Sequence, residues 1–227
     1  MKIAELFYSI QGEGILAGTP AVFVRTSGCN LRCVWCDADY TSWAPEGRDV
    51  EVKEIVRYVR EHSRGYTVVT GGEPMILPEI VALGRELRGI GQHITIETAG
   101  TVYRELECDL MSISPKLRNS VPWEREGGRW AERHNRLRLQ YDVLQKLMER
   151  YNYQLKFVVT QPEDVTEVLE IVKRLRAKRD RVLLMPEGVQ ARVLAERGRW
   201  IVEVCKREGF RYSPRLQVEL WGAARGY

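Results

Sequence analysis

Short apolar runs and amphipathic stretches alternate along most of the chain. Strand-like apolar runs cover residues 21–26, 66–70, 93–98, 110–114, 155–160 and 182–186, and one-sided helical patterns cover 52–63, 78–88, 162–176 and 191–208. This alternation predicts an α/β fold whose parallel strands are joined by right-handed helical crossovers. A complete eightfold barrel usually needs about 250 residues. The 227 residues of the chain therefore favour a partial, open parallel β/α barrel.

One segment, residues 117–153, interrupts the alternation. It contains Pro122, Gly127 and Gly128 within a dense mixture of arginine and glutamate, and an amphipathic stretch around Leu144 and Leu147 follows. A surface loop and a solvated helix explain this composition most simply, while a lid or an interface is the alternative. We expect residues 1–227 to form a single domain that carries this charged insertion.

Composition excludes several classes of protein. A hydrophobic share of 44% and a charged share of 29% are typical of a soluble globular chain. A formal charge of +4 is too small to indicate nucleic-acid binding. The first residues show no signal-peptide pattern, and no apolar run reaches membrane-spanning length. These features predict a cytoplasmic protein without a nucleic-acid or membrane partner.

Three of the five cysteines lie within eight residues of one another. Cys29, Cys33 and Cys36 are badly spaced for mutual disulfides, and in a reducing compartment such a group indicates metal binding. Soft thiolates suit an iron–sulfur cluster, and three ligands leave one iron of a cubane open. Structural zinc is the alternative, and it needs a fourth protein ligand. The candidates for that ligand are Cys108, Cys205, His62, His93 and His134.

The spacing Cys29-x3-Cys33-x2-Cys36 resembles the signature of the radical S-adenosylmethionine (SAM) superfamily. The turn Gly71-Gly72-Glu73-Pro74 resembles that superfamily's GGEP element and follows a predicted strand, as expected. The resemblance implies a radical SAM fold with a [4Fe–4S] cluster. Its open iron binds the amino and carboxylate groups of SAM, whose reductive cleavage gives a 5′-deoxyadenosyl radical. Glu73 would accept from the SAM ammonium.

Further motifs resemble the 7-carboxy-7-deazaguanine synthase family within that superfamily. They span nearly the whole chain: FYSIQGEG at 7–14, FVRTSGC at 23–29, ETAGT at 97–101, ISPK at 113–116 and the tail LWGAARGY at 220–227. The resemblance implies conversion of 6-carboxy-5,6,7,8-tetrahydropterin to 7-carboxy-7-deazaguanine with loss of ammonia, in the biosynthesis of 7-deazapurines such as queuosine. SAM would be regenerated, and the enzyme would be a carbon–nitrogen lyase.

The resemblance also implies two groups of site residues, most of them at the carboxyl ends of predicted strands. The SAM site would comprise Trp35, Asp37, Gly72, Glu73, Ser114, Pro115, Lys116, Met185 and Glu187, and the substrate site Ile10, Gln11, Gly12, Glu13, Arg25 and Thr70. Arg25 offers a planar fork that suits a substrate carboxylate.

One departure from the family's pattern bears on metal binding. Family members generally bind Mg2+ with a threonine or serine hydroxyl two positions after the third cysteine, where this chain has Ala38. Asp37 and Asp39 flank it, and Mg2+ prefers oxygen ligands with several retained waters. We therefore expect Mg2+ to be held by a carboxylate such as Asp37, or by water and substrate alone.

Two other functions fit parts of the sequence. A radical SAM activating enzyme would share the three cysteines and the GGEP turn and would act on a protein partner. A zinc-stabilised RNA-binding module would use the cysteines differently. The family resemblance favours a small-molecule pterin substrate, a flavodoxin or ferredoxin as electron donor, and a homodimer.

Overall fold

The computed structural model describes residues 1–227 as one sheet with helices packed against it. The strands are β1 (Lys2–Ile10), β2 (Pro20–Thr26), β3 (Arg48–Asp49), β4 (Tyr66–Gly71), β5 (His93–Thr98), β6 (Leu110–Ile113), β7 (Tyr153–Val159), β8 (Val182–Pro186) and β9 (Arg211–Tyr212). The helices are α1 (Val52–His62), α2 (Ile80–Gly89), α3 (Ala131–Leu137), α4 (Tyr141–Arg150), α5 (Asp164–Leu175), α6 (Ala191–Glu208) and α7 (Leu216–Trp221). Short 3-10 turns begin at residues 14, 39, 74, 118, 125 and 179.

The sheet has nine strands in the order β3-β1-β2-β4-β5-β6-β7-β8-β9. All pairs from β2 to β9 are parallel, whereas β1 pairs antiparallel with both β2 and β3. No pairing joins β9 to β3, so the sheet is open. The predicted α/β class and open parallel sheet are confirmed, and the antiparallel β1 edge is an addition that the sequence patterns did not predict.

Each central strand divides its residues between two environments, because successive side chains point to opposite faces. In β2, Val22 and Val24 belong to a core of 34 buried residues under the helices. Phe23 of the same strand joins a small cluster with Phe7, Ala21 and Val68 on the other face. Strands β2, β4, β5, β6 and β7 follow the same rule, and each places a polar side chain on this inner face: Arg25, Thr70, Glu97, Ser112 and Lys156.

The longer helices α1, α2, α4, α5 and α6 cover the outer face, and each packs an apolar stripe against the strands. In α5, Val165, Val168, Val172 and Leu175 all enter the core, at the spacing expected for one helical face. Within the charged segment, Leu144 and Leu147 of α4 are fully buried there. The amphipathic helix expected in this segment therefore packs on the sheet. No helix of the chain is both long enough and apolar enough to cross a membrane.

The sheet is curved enough to bring its two ends together. Glu13, just after β1, contacts Lys156 in β7 and Arg215 beyond β9. Backbone contacts reinforce this closure, since Gly14 N donates to Ser213 Oγ at 2.8 Å and Leu216 N donates to Gly12 O at 3.0 Å. The inner face consequently becomes the wall of a cavity.

Candidate active site

The three cysteines lie in the loop that follows β2, and all three line this cavity. Gly28 turns the chain out of the strand with φ of +104°, in the left-handed region that favours glycine. Its backbone N–H donates to Thr41 O at 2.8 Å, which fixes the start of the loop. The 3-10 turn at 39–41 and the indole of Trp43, which donates to Cys33 O at 2.9 Å, support the other end.

Burial shapes the chemistry of the thiols. It raises the pKa of Cys29 to about 12, with the Glu73 carboxylate adding to the effect. Burial also raises the pKa values of Cys33 and Cys36. The thiols therefore stay protonated as long as no iron is bound, and iron binding must release those protons. Three buried, soft ligands on one loop fit a cubane that leaves one iron open to the cavity.

The surroundings of these thiols offer no fourth ligand for structural zinc. Cys108, Cys205, His62 and His93 do not line the cavity. Both ring nitrogens of His134 are engaged, with Arg32 N and Ser120 Oγ. No group of three or more histidine, cysteine, aspartate and glutamate side chains lies close enough together to bind a single metal ion. A cubane does not require such closeness, because each cysteine binds a different iron.

The Gly71–Pro74 turn brings β4 against the cysteine loop. A Cβ on Gly72 would lie 2.1 Å from Gly28 O, so only glycine permits this approach. Glu73 is fully buried behind the turn, where its carboxylate accepts from Thr98 Oγ1, Ala99 N and Met75 N. Gly72 lines the cavity whereas Glu73 does not. The contact between Glu73 and the SAM ammonium stays a prediction.

Every other residue predicted for SAM except Pro115 reaches the cavity wall. The ammonium of Lys116 donates to Ser114 O and Oγ and lies 5.9 Å from the centre of the Trp35 ring. Glu187 pairs with Arg197, which also donates to its backbone carbonyl. The wall beside the cysteines thus combines an aromatic face, one cation and several backbone groups.

All residues predicted for the substrate line the same cavity: Ile10, Gln11, Gly12, Glu13, Arg25 and Thr70. Arg25 Nε lies 2.8 Å from Glu5 Oε2, at ion-pair distance but without the alignment of a hydrogen bond. Thr70 Oγ1 and Gln11 Nε2 donate to the two oxygens of Glu97, at 2.8 and 3.1 Å. A cation and an oriented carboxylate therefore face one space.

A buried ion network at the closure of the sheet was missed in the sequence. Glu13 pairs with Lys156 and with Arg215, and Gln217 Nε2 donates to it at 2.8 Å. Burial alone would raise the pKa of Glu13, but the charges of Lys156 and Arg215 outweigh it and hold that pKa far below its usual range. A lysine interrupting an otherwise apolar strand, as Lys156 does in β7, was the available signal.

The side chains near Ala38 offer few free oxygen atoms to Mg2+, and its contact with Asp37 stays a prediction. Ala38 presents only a methyl group to the cavity, and the Asp37 carboxylate is paired with Arg215. Asp39 lies outside the cavity and faces Arg125 at 3.5 Å. The oxygen ligands that Mg2+ prefers are therefore either missing or already neutralised.

Comparisons with known proteins agree with this geometry. The model of the Radical SAM superfamily matches residues 23–117. The chain is 43% identical to 7-carboxy-7-deazaguanine synthase of Halobacterium salinarum, over 99% of this chain and 91% of that protein. It is 42% identical to the synthase of Rhodopirellula baltica, over 100% and 88%. The crystal structure of QueE from Escherichia coli is similar in fold, with a TM-score of 0.69, 24% identity and coverage of 93% and 92%.

An open parallel sheet with three cavity-lining cysteines after its first parallel strand defines a radical SAM protein. The full-length relatives narrow this class. The chain belongs to the 7-carboxy-7-deazaguanine synthase family.

Proposed function

We propose that the chain converts 6-carboxy-5,6,7,8-tetrahydropterin to 7-carboxy-7-deazaguanine with loss of ammonia. The observation that carries this function is a single cavity. The three thiols proposed to hold the [4Fe–4S] cluster line this cavity together with Arg25 and Glu97, which supports the proposal. When bound, the cluster and SAM supply the 5′-deoxyadenosyl radical. The protein binds and orients the reactants and excludes competing reactions.

Arg25 would bind the substrate carboxylate. No hydrogen bond within the chain uses its terminal guanidinium nitrogens, while Glu5 holds its Nε side. Tyr40 donates to the same Glu5 oxygen at 2.7 Å, and the guanidinium lies over the Phe7 ring. These contacts fix the fork before substrate arrives, which lowers the entropic cost of binding.

The opposite edge of a pterin carries N–H donors beside a carbonyl. Glu97 would accept from those donors, because Gln11 and Thr70 already orient its carboxylate. Gln217 Oε1 is buried without a hydrogen-bond partner. Buried acceptors are nearly always satisfied, so this oxygen fits a further ligand N–H. Backbone groups of Ile10, Gln11 and Gly12 would complete the contact.

SAM would lie between the cysteine loop and the carboxyl ends of strands β6 and β8. Trp35, Ser114, Lys116 and Met185 line that part of the cavity. Lys116 would face the SAM carboxylate, while Gly72 leaves room for the backbone to approach the methionine group. Asp37 and Glu187 would contact SAM only at the edge of its site, because each carboxylate already pairs with an arginine.

Magnesium would enter with the substrate instead of occupying a side-chain site. Ala38 offers no oxygen, and Arg215 neutralises Asp37, which leaves water and the substrate carboxylate as ligands. Turnover is to be titrated with Mg2+ after the metal has been stripped with a chelator. Ala38→Thr should lower the Mg2+ concentration at half-maximal rate, whereas Asp37→Asn should leave it unchanged. Full turnover in the chelator with no gain on adding Mg2+ would exclude the metal altogether.

The electron donor, assembly and compartment belong to the same proposal. A flavodoxin or ferredoxin would reduce the cluster, since Val34, between two of the cysteines, is 39% exposed and opens the loop to the surface. Five free cysteines suit the reducing cytoplasm. We propose a homodimer on family grounds. Light scattering measures the oligomeric state, and a monomer would contradict the homodimer. Reduction assays with flavodoxin and with ferredoxin test the electron donor, and a cluster that neither reduces would contradict it.

The decisive experiment is anaerobic turnover. The chain is reconstituted with iron and sulfide, reduced, and mixed with SAM, Mg2+ and 6-carboxytetrahydropterin, and the products are identified by mass spectrometry. We expect 7-carboxy-7-deazaguanine from the wild type and none from Cys33→Ala, with Cys205→Ala, a buried cysteine outside the cavity, as the matched control. Formation of 5′-deoxyadenosine without that product would leave radical SAM chemistry intact and refute the substrate.

A further inference from the structure

The charged segment after β6 contacts the cysteine loop directly. We propose that His134 of α3 is a positioning residue for the iron–sulfur cluster, acting through a hydrogen bond to the backbone between two of its ligands. The inference rests on the cluster assigned above and extends it to a part of the chain with no expected function. Its starting observation is a fully enclosed histidine, 1% exposed, on an otherwise polar helix.

The hydrogen bonds around His134 determine its tautomer. Arg32 N, which can only donate, lies 3.0 Å from Nδ1, so this nitrogen carries the lone pair. Nε2 must then carry the proton and donate to Ser120 Oγ at 2.9 Å. The Ser120 hydroxyl in turn donates a hydrogen bond to Leu117 O at 2.5 Å. Each donor in this chain has one acceptor, and the imidazole is neutral.

Arg32 immediately precedes Cys33, so the Nδ1 bond sets the direction of the peptide that enters the second ligand. Two neighbouring residues of the segment hold the same loop further along. Val34 N donates to Ser120 O at 2.8 Å, and the Trp35 indole donates to Asn119 O at 3.0 Å. The loop is thus held at Arg32, Val34 and Trp35 by residues that lie 84 to 102 positions further along the chain.

The side chain of Arg32 reinforces the arrangement. Its guanidinium donates to Cys29 O and Leu31 O, both at 2.8 Å, and lies 4.7 Å from the centre of the Trp130 ring. Trp130 O in turn accepts from His134 N at 2.8 Å. The backbone between Cys29 and Cys33 is therefore tied, through Arg32, to Trp130 and His134 at the start of α3. Partners outside the ligand set commonly tune a metal centre by fixing its ligands in this way.

Two isosteric substitutions separate positioning from packing. Asparagine places Oδ1 where His134 has Nδ1 and can accept from Arg32 N, but it cannot reach Ser120. Glutamine places its amide near Nε2 and can meet Ser120, but it offers no acceptor to Arg32 N. His134→Asn, His134→Gln and Ser120→Ala are compared with wild type, and His62→Gln, at an exposed position, is the control.

The readouts are iron and sulfide per chain, the electron paramagnetic resonance spectrum of the reduced cluster, and the rate of iron loss to a chelator. We expect His134→Gln to lose iron roughly tenfold faster than wild type, in the range found for outer-shell partners, with an altered spectrum. His134→Asn should stay close to wild type in both properties. Melting temperatures of the apo forms should fall similarly in the two variants.

Equal iron retention and identical spectra in wild type and His134→Gln would overturn the positioning role. The role would also fall if both variants lost iron in proportion to their loss of thermal stability, because simple packing predicts that result. Absence of a [4Fe–4S] signal from wild type itself would instead refute the proposed function. The three results are distinguishable in one set of samples.

Discussion

Arg25 illustrates how a single residue on the inner face is prepared for its role. Its strand neighbours Val24 and Thr26 are buried, so the side chain can only point inward. Glu5 and the Phe7 ring then hold the guanidinium on one side and leave the fork free on the other. An oriented guanidinium whose terminal nitrogens make no hydrogen bond within the chain is suited to bind a carboxylate.

Replacement of Arg25 by lysine should weaken substrate binding while leaving the cluster intact. Lysine keeps the charge but loses the bidentate geometry, and a charge-assisted pair of hydrogen bonds contributes about 1.5–3 kcal/mol. We expect KM for the pterin to rise by a factor of about 10 to 100. Steady-state kinetics with saturating SAM measure this change.

The control for this prediction is Arg48→Lys, in which an arginine that is 68% exposed loses only a surface pair with Glu54. Iron content and the cleavage of SAM in the absence of pterin should match wild type in both variants. An unchanged KM in Arg25→Lys would remove Arg25 from the substrate site.

At the scale of elements, the closing contact between β1 and β7 determines the shape of the cavity. Lys156 and Arg215 are each 6% exposed and meet at Glu13, which is 14% exposed. Breaking a buried ion pair by removing one partner leaves an uncompensated charge, which costs about 3–5 kcal/mol. A pair in solvent contributes less than about 1 kcal/mol.

We therefore expect Glu13→Gln to lower the free energy of unfolding by about 3 kcal/mol, measured by urea denaturation. The matched control is Glu105→Gln, whose partner Arg150 is exposed, and it should leave stability almost unchanged. Equal effects of the two substitutions would show that the buried network does not hold the ends of the sheet together.

The sequence predicted the central elements well because their apolar periodicities are strong. It missed β1, where half-buried residues replace the apolar run that marks a buried strand. It also missed α3, whose apolar content is too low to show a stripe. Both elements are defined by contacts distant in sequence, with β2 and with the cysteine loop, and local patterns do not contain that information.

For the molecule as a whole, sequence motifs alone predict many of the residues that line the cavity. The resemblance supplied 16 of the 30 residues on the wall, since these lie in short family motifs, most of them at strand ends. Glu97 lies in the ETAGT motif, from which no role for it was predicted. Arg215 and Gln217 were not predicted to belong to the site. These residues become neighbours only when the sheet curves, so their charges have meaning only in three dimensions.

The buried, neutral His134 predicts how the stability of the whole apo protein depends on pH. Burial, together with the charges of Arg138 and Lys116, lowers its pKa from 6.5 to about 4. In the unfolded chain the ring binds a proton below about 6.5, whereas in the folded chain it does not until about pH 4. The unfolded state therefore binds more protons across this window, and stability must fall as the pH falls through it.

A pKa difference of this size corresponds to a loss of up to about 3 kcal/mol between pH 6.5 and 4. Glu13 adds a loss only below its ordinary pKa of 4.5, and Glu73, whose pKa burial raises, acts in the opposite direction above that value. Comparison of wild type with His134→Gln cancels both carboxylates. Urea denaturation of the two apo proteins at a series of pH values should give converging stabilities as the pH falls. Parallel curves would mean that His134 binds its proton equally well in the folded and unfolded chains, and the neutral tautomer that connects Arg32 to Ser120 would be wrong.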